Sequence, residues 1–217
     1  MSTDALPVKP RRRYDASGRR DKARLSQERI IEAAERRFLA DGYSSTTVSG
    51  IAEEAAVSVD TIYKRFGGKP GLVRAIHERT LLGEGPVPAE QRSDALHAPG
   101  ADARRIIEEW GRLVTEIAPR AVPLMLLLRA AAATDPEVQP LLDEIDASRL
   151  RRMTENARRL HRGGHLRAGL GVAEAADVLW TYSSPELYEL LVLRRKMPLA
   201  RYGRFVAAAM ARALLPE

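Results

Sequence analysis

Two apolar stripes of helical spacing lie back to back between residues 46 and 69, and they constrain this chain more than any other feature. Val48, Ile51, Ala52 and Ala55 fall at i, i+3, i+4 and i+7, one face of a helix. Val57 and Ser58 interrupt the pattern, and Val59, Ile62, Tyr63 and Phe66 then repeat it. Thr46 or Thr47 can cap the first helix and Ser58 the second, because a short hydroxyl side chain accepts from an otherwise unpaired first-turn amide. Gly67-Gly68 supplies the backbone freedom to stop the second helix, and Pro70 suits the first turn of a third. Two short amphipathic helices joined by a tight turn have the shape of a helix-turn-helix, whose second helix enters the major groove of DNA.

Residues from about 24 to 81 resemble the DNA-binding domain of the TetR (tetracycline repressor-like) family of bacterial transcription regulators. The resemblance is carried by Ile30, Ala33, Ala34, Phe38, Gly42 and Tyr43, and continues through Thr46, Thr47, Val48, Ile51, Ala52, Ala55, Val57 and Ser58. It ends with Thr61, Ile62, Tyr63, Phe66 and Lys69. Three positions depart from the usual pattern: Ala56 and Asp60 stand where glycine is common, and Arg65 where histidine is common. The resemblance implies an all-α fold, with an N-terminal three-helix helix-turn-helix DNA-binding domain and a C-terminal helical ligand-binding and dimerisation domain. The corresponding boundaries are a basic flexible arm over 1–24, the DNA-binding domain over 25–82, a linker or loop over 83–100 and the helical domain over 101–217.

Charge agrees with a polyanionic partner. The net charge of +6 is matched by the segment from Lys9 to Arg24 alone, where eight basic residues stand against Asp15 and Asp21. This segment reads either as an arm that neutralises phosphates or enters a minor groove, or as a solubilising tail. With no cysteine, disulfides, Cys–zinc sites and thiol catalysis are excluded. Nothing near Met1 resembles a signal peptide, and the longest apolar run, around 121–133, is interrupted by Pro123 and Arg129, too short to span a membrane. A soluble cytoplasmic protein is expected.

The remaining patterning is helical, with no strand of period two. Ser26 is read as the cap of the first helix, which carries Ile30, Ala34 and Phe38 inward and ends at Gly42. Another helix begins at Lys69-Pro70. Residues 83–100, with three prolines and three glycines, read as a mobile linker. Beyond it lie stripes over 101–118, an almost continuous apolar run over 121–133 that predicts burial on every side, and a long helix opened by Asp135-Pro136 and closed by Gly163-Gly164. Residues 174–193 form a helix that Ser184-Pro185 should kink, and 199–215 carries a final stripe. The resemblance implies that these last two helices pair with their copies in a homodimer.

The recognition helix, 58–66, turns Val59, Ile62 and Phe66 inward. Asp60, Thr61, Lys64 and Ser58 are left to reach base edges or phosphates. Lys64 can donate to guanine, Thr61 can touch a thymine methyl, and Asp60 either accepts from cytosine or serves as a favourable charge at a helix start. Thr47, Tyr63 and Lys69 are assigned to phosphates, which fix register without reading sequence, with Tyr63 alternatively a core residue. Arg65 is a further phosphate contact or a surface charge. A twofold dimer predicts a palindromic operator in double-stranded DNA, with recognition helices about 34–36 Å apart or a multiple of that.

A pocket for an unknown small molecule is expected among the helices spanning 101–184. Its candidate residues are Trp110, Met125, Arg129, Trp180 and Tyr182, although Trp110, Met125 and Trp180 at helical spacing suit a core equally. Arg129 meets an anionic ligand or pairs with Asp135 or Glu186. His161 and His165 flank the Gly-Gly loop and are expected to face water. No metal site or cofactor is implied, and no phosphate loop, nucleophile elbow or carboxylate pair suggests an enzyme. A sequence-specific repressor released from DNA by a ligand is the leading expectation; a DNA-binding regulator or activator without such a switch is the alternative.

Overall fold

The computed structural model describes residues 16–83, 87–98 and 100–217, with side chains from residue 21 onward. It contains helices and turns and, among the described residues, no strand. The helices are α1 (Ala16–Asp41), α2 (Val48–Glu54), α3 (Val59–Phe66), α4 (Lys69–Leu81), α5 (Ala89–Ala95), α6 (Ala103–Ala132), α7 (Gln139–Arg162), α8 (Val172–Tyr182), α9 (Pro185–Tyr188) and α10 (Leu199–Leu214). A π-helical turn over Glu189–Arg194 continues directly from α9.

The first helix starts well before its expected cap. Ser26 lies inside α1, and the backbone is helical from Ala16. Residues 16–25 carry no apolar stripe, but alanine, arginine and lysine are good helix formers. Arg24 pairs with Glu28 one turn on at 2.8 Å, and Arg65 Nη1 donates to the Ala23 carbonyl at 2.7 Å, tying this end to α3. The basic arm therefore divides: residues 1–15 lie outside the described residues, and 16–24 are helical.

Apolar burial falls into two clusters, and their boundary does not follow the sequence-based one. The first holds Ile30, Ala34 and Phe38 of α1, Ile51 of α2, Ile62 of α3 and Leu72, Val73 and Ile76 of α4. It also takes in Leu124, Met125 and Leu128 from the end of α6 and Leu141, Leu142 and Ile145 from α7. The second cluster packs α6 from Ile106 to Val122 against α7, α8 and α10, with Tyr202 and Val206 fully inside. Two helices, α6 and α7, thus serve both cores.

Helix α6 is continuous despite Pro119 and Pro123 in its interior. Each proline removes one backbone donor, and the two cores hold the helix on either side of the gap. The 121–133 run is not buried all round: Leu124, Met125 and Leu128 are, whereas Ala130 and Ala133 are exposed. The expected linker over 83–100 contains α5, docked by burial of Ala89 and Ser93 and by an Arg92–Glu116 ion pair at 2.5 Å. The long helix α7 starts at Gln139, after a turn over 135–138, and its C-cap is Gly163.

At Ser184-Pro185 the structure shows a break where a kink was expected. α8 stops at Tyr182, and Ser184 caps α9 by accepting from the Leu187 amide at 3.3 Å. Carbonyls at a helix end need new donors, and Arg149 Nη1 supplies one to the Trp180 carbonyl at 2.6 Å. Helices α6 and α10 cross at Gly111 and Gly203, where a Cβ on Gly111 would stand 2.6 Å from the Gly203 carbonyl oxygen.

Candidate nucleic-acid interface and ligand cavity

The caps of the helix-turn-helix form as its residues dictate, but of the three side chains expected to turn inward from α3 only Ile62 is fully buried, Phe66 is partly buried, and Val59, at the first turn, is 39% exposed. Thr47 caps α2, accepting from the Gly50 amide at 3.1 Å, and Ser58 caps α3, accepting from the Thr61 amide at 3.2 Å. Gly67 ends α3 with φ +73°, the left-handed conformation that glycine adopts without a Cβ clash. Between the two helices Ala56 also sits left-handed, with φ +52°, so the alanine at a position where glycine is common is held in a conformation unfavourable for it. Glu54 fastens α2 to α1 through Arg36 at 2.9 Å and Arg37 at 2.7 Å. The Arg36 hydrogen bond leads the effects that hold its carboxyl below the usual range. Arg79 of α4 pairs with Glu35 of α1, while Arg74 grips Glu144 of α7 through contacts of 2.7–2.9 Å.

The proposed DNA-contacting residues occupy one region, with different freedom. Tyr63 is 54% exposed, and Gly68 beside its ring leaves room for it. The exposure sets aside the core alternative for this side chain. Lys64 and Asp60 form an exposed i,i+4 pair at 2.8 Å. Such a pair is weak, about 0.3–0.5 kcal/mol, so either side chain can exchange its partner for a base or phosphate. The Ser58 and Thr61 hydroxyls lie 2.8 Å apart. Arg65 is turned back onto the Ala23 carbonyl. Lys69 is also engaged: Nζ donates to the Tyr43 carbonyl at 2.8 Å and lies 4.3 Å above the Tyr43 ring. Its ammonium secures the α1–α2 turn against the start of α4. That start has no side-chain cap, so its first amides retain the anion-attracting character of a helix N-terminus.

A cavity of about 550 Å³ lies between α4, α5, α6, α7, α8 and α10. Trp110, Leu113, Ile117, Met125, Leu179 and Met210 form much of its wall. His77 and Leu81 of α4 reach it from the DNA-binding unit. Burial lowers the pKa of His77, favouring its neutral form. At the polar edge Arg152 pairs with Asp94 at 2.7 Å and Arg159 with the same carboxylate at 2.6 Å. Burial alone would raise the Asp94 pKa; the two guanidinium groups outweigh it and hold the carboxyl low.

Of the five pocket residues expected from sequence, Trp110 and Met125 line this cavity, and Arg129, Trp180 and Tyr182 do not. Arg129 instead pairs with Glu186 at 2.7 Å. The Trp180 ring stacks under the Arg149 guanidinium at 4.3 Å, and Tyr182 packs half-buried against the second core. Sequence reasoning missed Ser93, Asn156 and Arg149. Ser93 accepts from Trp110 Nε1 at 2.9 Å. A signal for Asn156 was present, because it stands three residues after Met153 and four before Leu160, on the apolar face of α7.

Comparison with known proteins agrees with this architecture. Residues 30–76 match the family described as "Bacterial regulatory proteins, tetR family". The HTH-type transcriptional regulator TtgR of Pseudomonas putida is 30% identical over 107 residues, 48% of this chain and 50% of that protein. YvkB of Bacillus subtilis, an uncharacterized HTH-type transcriptional regulator, is 35% identical over 71 residues, 33% of this chain and 38% of that protein. The chain thus spans half or less of the length of these curated relatives. Among solved structures, a SmeT–triclosan complex superposes with a TM-score of 0.68 at 22% identity, covering 88% of this chain and 92% of that one. NalD, the secondary repressor of the MexAB-OprM multidrug efflux pump in Pseudomonas aeruginosa, superposes with a TM-score of 0.69 at 18% identity, covering 90% and 99%. These likenesses establish the fold, and among the described residues no helix is long and apolar enough to cross a membrane. With the helix-turn-helix matched in sequence and the surrounding helices matched in fold, residues 30–76 are a tetR-type DNA-binding segment set within a TetR-like all-α fold.

Proposed function

We propose that this protein is a DNA-binding transcriptional regulator, a homodimeric repressor that holds a palindromic operator and leaves it when a small molecule fills the cavity. One observation carries the ligand-controlled part: Met125 and Ile145 line the cavity and also belong to the apolar core of the DNA-binding unit. A molecule that moves these side chains acts on the packing that orients α3. His77 and Leu81 add a direct wall from α4. The ligand needs only a differential affinity for the DNA-competent and DNA-incompetent arrangements.

The dimer reading is supported by α10 and the turn before it. Tyr202, Val206 and Met210 face inward, while Phe205 is 43% exposed and Leu190 56% exposed. Large apolar side chains left exposed on α10 and on the turn before it suit the same surface of a second copy. Tyr63, Thr61 and Lys64 would carry the contact with DNA, supported by Thr47, Ser58 and Asp60. Lys69 and Arg65 would act mainly by fixing the frame around α3, with phosphate contact through the α4 amides. Repression is favoured over activation by the kinship in fold with NalD, itself a repressor.

The test is capture of fragments of the source genome on purified protein at moderate salt, followed by sequencing. A few enriched fragments sharing a palindrome are expected. Addition of triclosan, the molecule bound to SmeT in the related structure, then serves as a first release probe. Diffuse recovery governed only by salt would refute the operator model.

A further inference from the structure

Among the helices that wall the cavity, α4, α6, α7, α8 and α10 are held in place by deep apolar burial. Leu72, Val73 and Ile76 of α4, Ile107 of α6, Leu160 of α7, Leu179 of α8 and Val206 of α10 are fully buried. Helix α5 is different. The one apolar side chain it buries is that of Ala89, a single methyl group. Its hold is largely polar, and the bonds reach side chains that line the cavity. Ser93 accepts from Trp110 Nε1 at 2.9 Å. Asp94 pairs with Arg152 at 2.7 Å and with Arg159 at 2.6 Å, and Glu90 pairs with Arg152 at 3.0 Å. Partly exposed ion pairs are individually weak, so the hold depends on Asp94 meeting two guanidinium groups at once.

Two further features favour movement of this segment. His97, just past the end of α5, lies 5.8 Å from the Trp110 ring, and its Nε2 is enclosed without a hydrogen-bond partner. Closure leaves that nitrogen dehydrated with nothing in return, a cost that opening removes. Gly83 and Gly100 stand on either side of the segment with φ of +71° and +77°. Glycine enters that left-handed region freely, which suits positions that absorb a change of backbone direction.

Resting on the ligand-controlled cavity described above, we propose that α5 is the gate of that cavity, swinging out to admit a molecule and drawn shut by the contacts of Asp94 with Arg152 and Arg159. Elements with few buried apolar contacts open locally at far lower cost than the whole fold, and α5 is the wall that meets that description. A molecule that touches Trp110, Arg152 or Arg159 competes with the contacts that close the gate, so occupancy and gate position are linked.

Thiol labelling reads the gate without any ligand or DNA. The chain has no cysteine, so Leu113→Cys on the α6 wall or Met210→Cys on the α10 wall introduces a lone reactive thiol. The probe is 4,4′-dithiodipyridine, an uncharged aromatic disulfide whose reaction is followed by absorbance. With the gate mostly shut, either wall thiol should react slower by about tenfold or more than Ala133→Cys, a position that is exposed. Adding Asp94→Ala should accelerate labelling at both wall positions about tenfold, the scale of one hydrogen bond to a charged group. Glu144→Ala, which removes an ion pair of α7 with Arg74 instead, should leave the rate unchanged. A rate that Asp94→Ala does not alter puts the entrance elsewhere and overturns the gate. Acceleration matched by Glu144→Ala is general loosening and overturns it as well, as do wall thiols that react as fast as the exposed one. None of these results touches the ligand-controlled reading, which stands or falls on whether a molecule in the cavity changes DNA affinity.

Discussion

Leu128 offers the sharpest test of the shared core. It lies on α6, far beyond the matched segment 30–76, yet it is fully buried in the cluster that contains Phe38, Ile51 and Ile62. Leu128→Ala removes buried carbon and leaves a cavity, which costs about 2–5 kcal/mol at a site that cannot collapse. Total stability for a domain is about 5–15 kcal/mol, so the loss is a large fraction. At about 2–4 °C per kcal/mol for a chain of this size, a loss near 3 kcal/mol lowers the midpoint by roughly 6–12 °C. The decisive readout is local. Hydrogen exchange at the α1 amides of Ile30, Ala34 and Phe38 should accelerate on the order of a hundredfold, the factor that 3 kcal/mol implies. Exchange that speeds up in α6 and α7 while α1 stays at the wild-type rate would refute a shared core. The DNA-binding unit would then be energetically separate from the helices behind it.

Four further outcomes are expected. Ala56→Gly should raise the unfolding midpoint by roughly 1–4 °C, because relief of a left-handed alanine, about 1–2 kcal/mol, exceeds the added flexibility of glycine, about 0.5–1 kcal/mol; an unchanged or lowered midpoint in a thermal melt would contradict this. Tyr63→Phe should weaken binding to all DNA sequences by about 0.5–1.5 kcal/mol, whereas Lys64→Ala should alter base preference by about 1–3 kcal/mol at one position, as measured by binding selection from a random library. Phe205→Glu should shift the protein towards monomer in sedimentation while leaving its helical content intact, since that side chain is 43% exposed. Acidification from neutral pH should lower stability: burial depresses the pKa values of His77 and His97, so the unfolded chain binds protons first, and stability is lost as pH falls through the unfolded value of about 6.5 towards the folded ones. A melting temperature that stays flat or rises between pH 7 and pH 5 would contradict it.

The DNA-binding unit was legible because its information is local. Stripes at i, i+3 and i+4, hydroxyl caps at Thr47 and Ser58 and the Gly67 stop are each written within a few residues of the structure they make. What was not legible depended on partners far away in sequence. Residues 83–100 look like a linker until Trp110 is known to bond Ser93 and Arg152 to reach Glu90 and Asp94. Trp180 and Tyr182 look like pocket residues until the break at Ser184-Pro185 turns that end of α8 towards Arg149. Asn156 stood on a predictable face, but whether its oxygen had a partner depends on what α5, α6 and α8 bring opposite it.

In the proposed mechanism, the position of α4 decides how a cavity between helices governs DNA binding. The ion pairs Arg74–Glu144 and Arg79–Glu35 join this helix to α7 and α1. Exposed or half-exposed pairs contribute about 0–1 kcal/mol each, so they do not lock it. Leu72, Val73 and Ile76 do, being fully buried in the same core as Met125 and Ile145. Close-packed interiors do not stretch smoothly; they pass between discrete packings. A molecule that displaces Met125 or Ile145 from the cavity side therefore presses on the surface that holds α4. The coupling required is modest, about 1–3 kcal/mol for a 5- to 150-fold change in DNA affinity. One or two repacked side chains supply that much, and because the head and the cavity share those side chains, no longer path through the protein is needed.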